Sequence, residues 1–203
     1  MAIKDLANVK GFKTTEGSPL NSERVARKDD QMVARLRAAG ALFIGKTNTP
    51  EFGLGSNTFN PVYGKTKNPY DLTKTCGGSS GGAAVALAAR MLSISDGSDM
   101  MGSLRNPAAW NNVYGLRPTW GLVPPEPSGE IFLSQLSTLG PMARSPKDLA
   151  LLLDVQANYF DNKSYVSQSK SFSNFTAQPR MKGIKIGWLG DWGGTLTFED
   201  GLL

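Results

Sequence analysis

The chain has 203 residues, 40% of them hydrophobic and 19% charged, with a net charge of +5. This is ordinary globular composition, enough for one domain with a real core or for part of a larger one. There is no histidine and only one cysteine. That excludes Ser-His-Asp and Cys-His catalysis, histidine or multi-cysteine metal sites, and an intramolecular disulfide.

Residues 1–6 read as a short strand that meets a polar loop. Residues 29–40 read as a helix: Asp29 or Asp30 caps it, Met32, Val33 and Leu36 line one face, and Gly40 ends it. The apolar run 41–44 predicts a buried strand. Residues 47–75 are turn-rich, with Pro50, Pro61 and Pro69, and so long a loop in a compact domain points to binding. The alanine-rich run 83–91 is strongly helical. Residues 92–96 and 113–116 are strand candidates, and 121–130 is a Pro/Gly-rich loop. Ser145-Pro146-Lys147-Asp148 starts a helix that should run to about Gln156. A polar stretch, 161–178, then leads to a late strand at 184–189.

This alternation predicts an α/β fold with a mixed, largely parallel central sheet covered by helices. The expected organisation is one core domain fragment over 1–203. Residues 1–156 form its main body, 157–180 connect, and 181–203 start the following strand and helix region. The chain opens inside a predicted strand and stops just after Glu199-Asp200, where a helix could begin, so a fragment is expected.

Partners can be narrowed in the same way. Lysines and arginines are scattered without a basic run, so no nucleic acid is expected. No apolar run approaches the ~18 residues of a membrane span, so no membrane is expected. Without a charged-then-apolar leader the expected location is cytoplasmic, and a homo-oligomer is left open.

Two familiar patterns fail on physical grounds. Gly40-Ala41-Leu42-Phe43-Ile44-Gly45-Lys46-Thr47 spells a phosphate loop. Yet Ala-Leu-Phe-Ile between its glycines wants burial, and Pro50 follows where a helix should open. Gly78-Ser79-Ser80-Gly81-Gly82 spells a nucleophile elbow, which needs a histidine base that this chain lacks. Cys76 has no histidine to lower its pKa and reads as a small, inert residue.

Two serine sites in glycine-rich settings remain. One is Ser79-Ser80 within Gly77-Gly78-Ser79-Ser80-Gly81-Gly82. The other is Ser103, 24 residues further on, in Gly97-Ser98-Asp99-Met100-Met101-Gly102-Ser103-Leu104-Arg105. A helix and a strand between them can bring both to one end of a sheet. Consecutive backbone N–H groups before Ser103 can hold a developing oxyanion. A serine needs a base, and without histidine a desolvated lysine is the best candidate. Lys4, at the end of an apolar strand, is a plausible place to bury an amine.

These segments resemble the amidase signature family. The resemblance is carried by Gly77 to Gly82, by Gly97 to Arg105, by Asn106-Pro107-Ala108-Ala109 and by Tyr114-Gly115-Leu116-Arg117-Pro118-Thr119. Ile3-Lys4-Asp5, Thr14-Thr15-Glu16-Gly17-Ser18, Gly45-Lys46-Thr47-Asn48 and Glu51-Phe52-Gly53 extend it over nearly all of residues 1–156. It implies that Ser103 is the acyl-accepting nucleophile and Lys4 the general base. Ser79, reached through a cis peptide after Gly78, would relay protons between them. The N–H groups of Met100, Met101, Gly102 and Ser103 would form the oxyanion hole, with Ser80 in support. Asp99 and Arg105 are candidate supports as well. Arg105 orients substrate, fixes the Ser103 loop or simply pairs with Asp99, and these readings stay open. The implied substrate is a small-molecule amide, with no metal or organic cofactor. The implied alternatives are a glutaminase-type subunit of an amidotransferase and an inactive remnant. Met101 stands where the family usually has glycine, which predicts an altered substrate range rather than inactivity.

Overall fold

The computed structural model describes residues 1–126, 135–157, 171–174 and 183–197. Strand β1 (Ala2–Lys4) is shorter than the predicted 1–6. Its pleat sends Ala2 and Lys4 to one side and Ile3 to the other. Helix α1 (Gln31–Ala38) buries Met32, Val33 and Leu36 as predicted. Gly40 takes a φ of 90° just past its end, a left-handed conformation that glycine adopts freely. These side chains join Ile3, Val9, Leu152 and Leu153 in one core cluster.

The run 41–44 is not the predicted buried strand. Strand β2 is Gly45–Thr47, one step later, paired parallel to β1 with Lys4 opposite Thr47. Ala41 and Phe43 pack on the core cluster, whereas Leu42 and Ile44 are 80% and 70% exposed. Alternate side chains of this run therefore pack inward, and only partly. The turn-rich stretch 47–75 contains a short hairpin, β3 (Phe59–Asn60) and β4 (Gly64–Lys65).

Helix α2 (Gly81–Ala88) begins directly after the serine pair. Ala83, Ala84 and Leu87 pack with Ala2, Leu92, Leu104, Ala108 and Met142 in a second cluster. Small residues let this helix sit unusually close to its neighbours. A Cβ on Gly82 would lie 2.3 Å from the backbone nitrogen of Asn48, and the Gly82 N–H donates to the Asn48 carbonyl at 3.2 Å. Gly82→Ala must therefore displace backbone, and we expect a loss of about 3 kcal/mol of stability in urea unfolding. An unchanged midpoint would show that this close approach does not exist.

Strand β5 (Ile94–Asp99) pairs antiparallel with β7 (Thr138–Ala143), which also pairs antiparallel with the short β6 (Tyr114–Gly115). Helix α3 (Arg105–Trp110) follows the Ser103 loop. Helix α4 (Pro146–Ala157) begins where predicted: Ser145 Oγ accepts the Asp148 N–H at 3.1 Å and donates to its carboxylate at 2.8 Å.

The class is mixed α/β, as expected. Among the described residues the pairing β1–β2 is parallel and the other three are antiparallel. Strand β1 lies beside β5 without a backbone ladder. Instead, Asp96 Oδ1 accepts the Lys4 N–H at 2.8 Å and Ser95 Oγ donates to the Ala2 carbonyl at 3.0 Å. Residues 184–189 form no strand; Ile184, Ile186, Trp188 and Leu189 are all exposed. Apolar content alone makes no strand where no neighbour offers its hydrogen bonds. Most of 157–180, and residues 127–130 of the predicted loop, lie outside the described residues.

Candidate active site

Lys4 is 1% exposed. The pleat of β1 turns its side chain to the side of α2, and its Nζ meets three hydroxyls there. It donates to Ser79 Oγ at 2.7 Å, Ser80 Oγ at 2.9 Å and Ser98 Oγ at 3.0 Å. Burial pushes its pKa down to about 7, against the opposing pull of the Asp96 and Asp99 charges. A lysine so placed is partly a free amine near neutral pH. It can accept a proton as well as hold one.

The three hydroxyls differ in what they can do. Ser80 Oγ donates its proton to the Ser98 carbonyl at 3.2 Å and accepts the Ser98 N–H at 3.3 Å. With that proton committed, Ser80 holds Lys4 in place but does not deliver to it. Ser79 and Ser98 are the hydroxyls that can give a proton to the neutral amine. The peptide Gly78–Ser79 is cis, as the resemblance implies. The loop around it is tied by Thr58, whose Oγ1 donates to the Gly77 carbonyl at 2.8 Å and accepts the Gly81 N–H at 3.2 Å.

Strand β5 supplies two further groups. Asp96 and Ser98 are two apart in the strand and so share a side, the side of Lys4. The Asp96 carboxyl is 1% exposed. Burial raises its pKa to about 6, opposed by the Lys4 N–H and by the charges of Lys4 and Lys46. Gly97 faces the other way, where a Cβ would lie 2.6 Å from Leu104 Cδ2 and 2.8 Å from Ser80 Oγ. Only glycine lets Ser80 and Leu104 come this close to the strand.

Asp99 organises the Ser103 loop. Its carboxylate accepts the Gly102 N–H at 2.7 Å and the Leu104 N–H at 3.1 Å, on either side of Ser103. Arg105 meets it with two hydrogen bonds, at 3.0 and 3.1 Å, and Arg117 Nη1 donates to it at 3.0 Å. Burial alone would raise the Asp99 pKa. The donors from Arg105, Gly102, Leu104 and Arg117 outweigh it and hold the carboxyl well below the usual range. The Ser103 carbonyl accepts the Ser80 N–H at 3.2 Å, which stitches the loop to the serine pair.

Lys4, Ser79 and Ser80 therefore come together directly, and Ser103 is joined to them through its backbone. Arg105 is the partner of Asp99, which settles its structural pairing. The Gly102 N–H is aimed at Asp99 and not at an oxyanion site. Those of Met100, Met101 and Ser103 have no hydrogen-bond partner among the described residues. Met101 has no left-handed φ, so it needs no glycine, and its side chain is 81% exposed. Sequence reasoning left Ser98, Asp96 and Arg117 without roles. The alternation of β5 could have placed Asp96 and Ser98 on one side, but it does not say that β1 lies there.

A buried amine bracketed by serine hydroxyls, beside a glycine-rich loop bearing another serine, defines a site suited to serine-based acyl transfer without histidine. The Amidase family matches residues 1–197, and the chain belongs to that family. The Ser–Ser–Lys triad is characteristic of it. Among its relatives, one of the subunits of the Thermus thermophilus glutamyl-tRNA(Gln) amidotransferase is 49% identical over 158 residues, 77% of this chain and 33% of that protein. The corresponding protein from Coxiella burnetii is 42% identical over 190 residues, 92% of this chain and 39% of that one. The solved 6-aminohexanoate cyclic dimer hydrolase in complex with substrate superposes with a TM-score of 0.79 at 34% identity, covering 85% of this chain and 37% of that one. The chain thus spans between 33% and 39% of the length of these relatives. No helix among the described residues is long and apolar enough to cross a membrane.

Proposed function

We propose that this chain carries the catalytic core of an amidohydrolase that cleaves a carboxylic amide C–N bond. The observation that carries the reading is the buried Lys4 amine, 2.7 Å from Ser79 Oγ, in a site laced to the Ser103 loop. Ser103 Oγ attacks the acyl carbon and passes its proton to Ser79 as Ser79 passes its own to neutral Lys4. The charge that develops on the acyl oxygen is met by the N–H groups of Met100, Met101 and Ser103. Lys4 then returns a proton through Ser79 to the departing amine, leaving an acyl ester on Ser103. Water hydrolyses that ester by the same relay, releasing the acid and restoring the hydroxyl. Ser80 and Ser98 hold the amine in register. Asp99, fixed by Arg105, holds the loop that presents Ser103.

The test is amine release from a panel of p-nitroanilides by the purified chain, with Ser103→Ala as control. Release that Ser103→Ala abolishes supports the reading; equal release by both would remove it. Small-molecule amides are the proposed substrates. A glutaminase working with a partner protein is the second reading, favoured by the amidotransferase relatives. Ammonia release from glutamine exceeding that from the anilides would favour it.

Met101 bears on substrate range. Its side chain stands exposed beside the proposed oxyanion site. Met101→Gly is expected to change the relative kcat/KM among acetyl, butyryl and benzoyl anilides by about 10-fold while leaving the best kcat within about threefold. Uniform ratios across the three acyl groups would show that Met101 does not touch the acyl pocket.

A further inference from the structure

Arg117 belongs to a motif to which the proposed reaction assigns no role, yet its contacts are unusual for a structural cation. Its side chain is 24% exposed. Nη1 donates to the Asp99 carboxylate, to the Asp99 carbonyl and, at 3.3 Å, to the Met100 carbonyl. Nη2 donates to the Leu136 carbonyl at 2.7 Å, just ahead of β7. The Asp99 carbonyl shares its peptide unit with the Met100 N–H, and the Met100 carbonyl shares its unit with the Met101 N–H. In a trans peptide these groups point in opposite directions. One guanidinium therefore grips, from behind, the two peptide units whose N–H groups the proposed mechanism turns toward the acyl oxygen.

We propose that Arg117 is a positioning residue for acyl transfer, which orients and polarises the peptide units of Met100 and Met101 so that their N–H groups stabilise the oxyanion. This rests on the reading of Ser103 as an acyl-accepting nucleophile. The physical basis is cooperative: a donor on an amide carbonyl shifts electron density toward oxygen and strengthens the N–H of the same unit. A cationic donor does so more than a neutral one. The fixed charge also adds a favourable field along the peptide dipoles as negative charge builds on the substrate. The anchor at Leu136 keeps the guanidinium from following the loop. Arg105 is the internal contrast. Among the described residues it binds only the Asp99 carboxylate, so it can steady the loop but does not polarise these peptides.

The experiment uses a fluorophosphonate probe on the full chain, because phosphonylation of Ser103 passes through an anionic phosphoryl oxygen in the same place. The first-order rate constant kinact and the binding constant KI are measured for wild type, Arg117→Gln, Arg117→Lys and Arg105→Gln, with melting temperatures alongside. Arg117→Gln is expected to lower kinact about 10-fold with KI within about twofold, a fraction of what losing an oxyanion donor outright costs. Arg117→Lys, whose ammonium can serve one carbonyl, should lose about threefold. Arg105→Gln should lose about twofold. Equal losses in Arg117→Gln and Arg105→Gln, or a loss confined to KI, would overturn the inference and leave Arg117 a mere clamp on Asp99. If Arg117→Gln does not fold, Arg117→Lys carries the test on the same criteria. A folded wild-type chain that gives no Ser103 adduct would instead remove the reading of the site itself.

Discussion

Replacing Lys4 with methionine is expected to slow acylation of Ser103 by roughly 10³-fold at pH 8, the scale of losing a positioned general base. Methionine fills much of the same volume but accepts no proton from Ser79. In the wild type, the rate should rise with pH through about 7, where buried Lys4 gives up its proton. A rising limb near 10 instead would mean that the amine is solvated and keeps its ordinary value.

The same shift makes Lys4 a cost to folding, with a definite sign. Its folded pKa lies below the unfolded 10.5, so between about 7 and 10.5 the unfolded chain binds the extra proton. Stability therefore rises with pH across that window, and below about 7 the cost of burying the charge is felt in full. Lys4→Met should flatten the rise, by an amount on the order of a few kcal/mol. Asp96 acts in a separate window. Its folded value is raised from 3.8 to about 6, so the stability it contributes is present at low pH and lost as pH climbs toward 6. Unfolding midpoints of wild type and Lys4→Met, followed from about pH 3 to about pH 10, separate the two.

Asp99→Ala is expected to cost about 3–5 kcal/mol, because it strips partners from two buried N–H groups and two guanidinium groups at once. The Ser103 loop should lose its shape, and labelling of Ser103 should fall with it. Asp99→Asn keeps one acceptor oxygen and should lie between. The depressed Asp99 pKa sets the sign with pH: its contribution is complete above about 3.8 and is lost as pH falls through the lower folded value. A loss below about 1 kcal/mol in urea unfolding of Asp99→Ala would show that the loop holds itself.

Much of this arrangement could be read before the structure. An apolar strand ending in lysine, two serine sites in glycine-rich settings and an alanine-rich helix between them are all visible in residue order. So are the face of α1 and the start of α4, because capping and periodicity are local. The less visible parts depend on distant partners. The apolar run 41–44 hydrogen-bonds to Met1 through Ile44 and Leu42, but the strand register to β1 begins at Gly45. Residues 184–189 look like a strand but have no neighbour to bond among the described residues. Asp96 bridges β5 to β1 by its side chain, which no strand pattern reveals. The Gly102 N–H looks like an oxyanion donor until Asp99 is seen to occupy it. Arg117 gains its contacts only because β7 and Leu136 are brought beside the Ser103 loop.

The most direct test of the central claim is to label the purified chain with a fluorophosphonate and locate the adduct by mass spectrometry, in wild type and in Lys4→Met. The account predicts a single adduct on Ser103 that nearly vanishes in the variant. A folded wild-type chain without that adduct, or an adduct formed equally fast without the Lys4 amine, would contradict it.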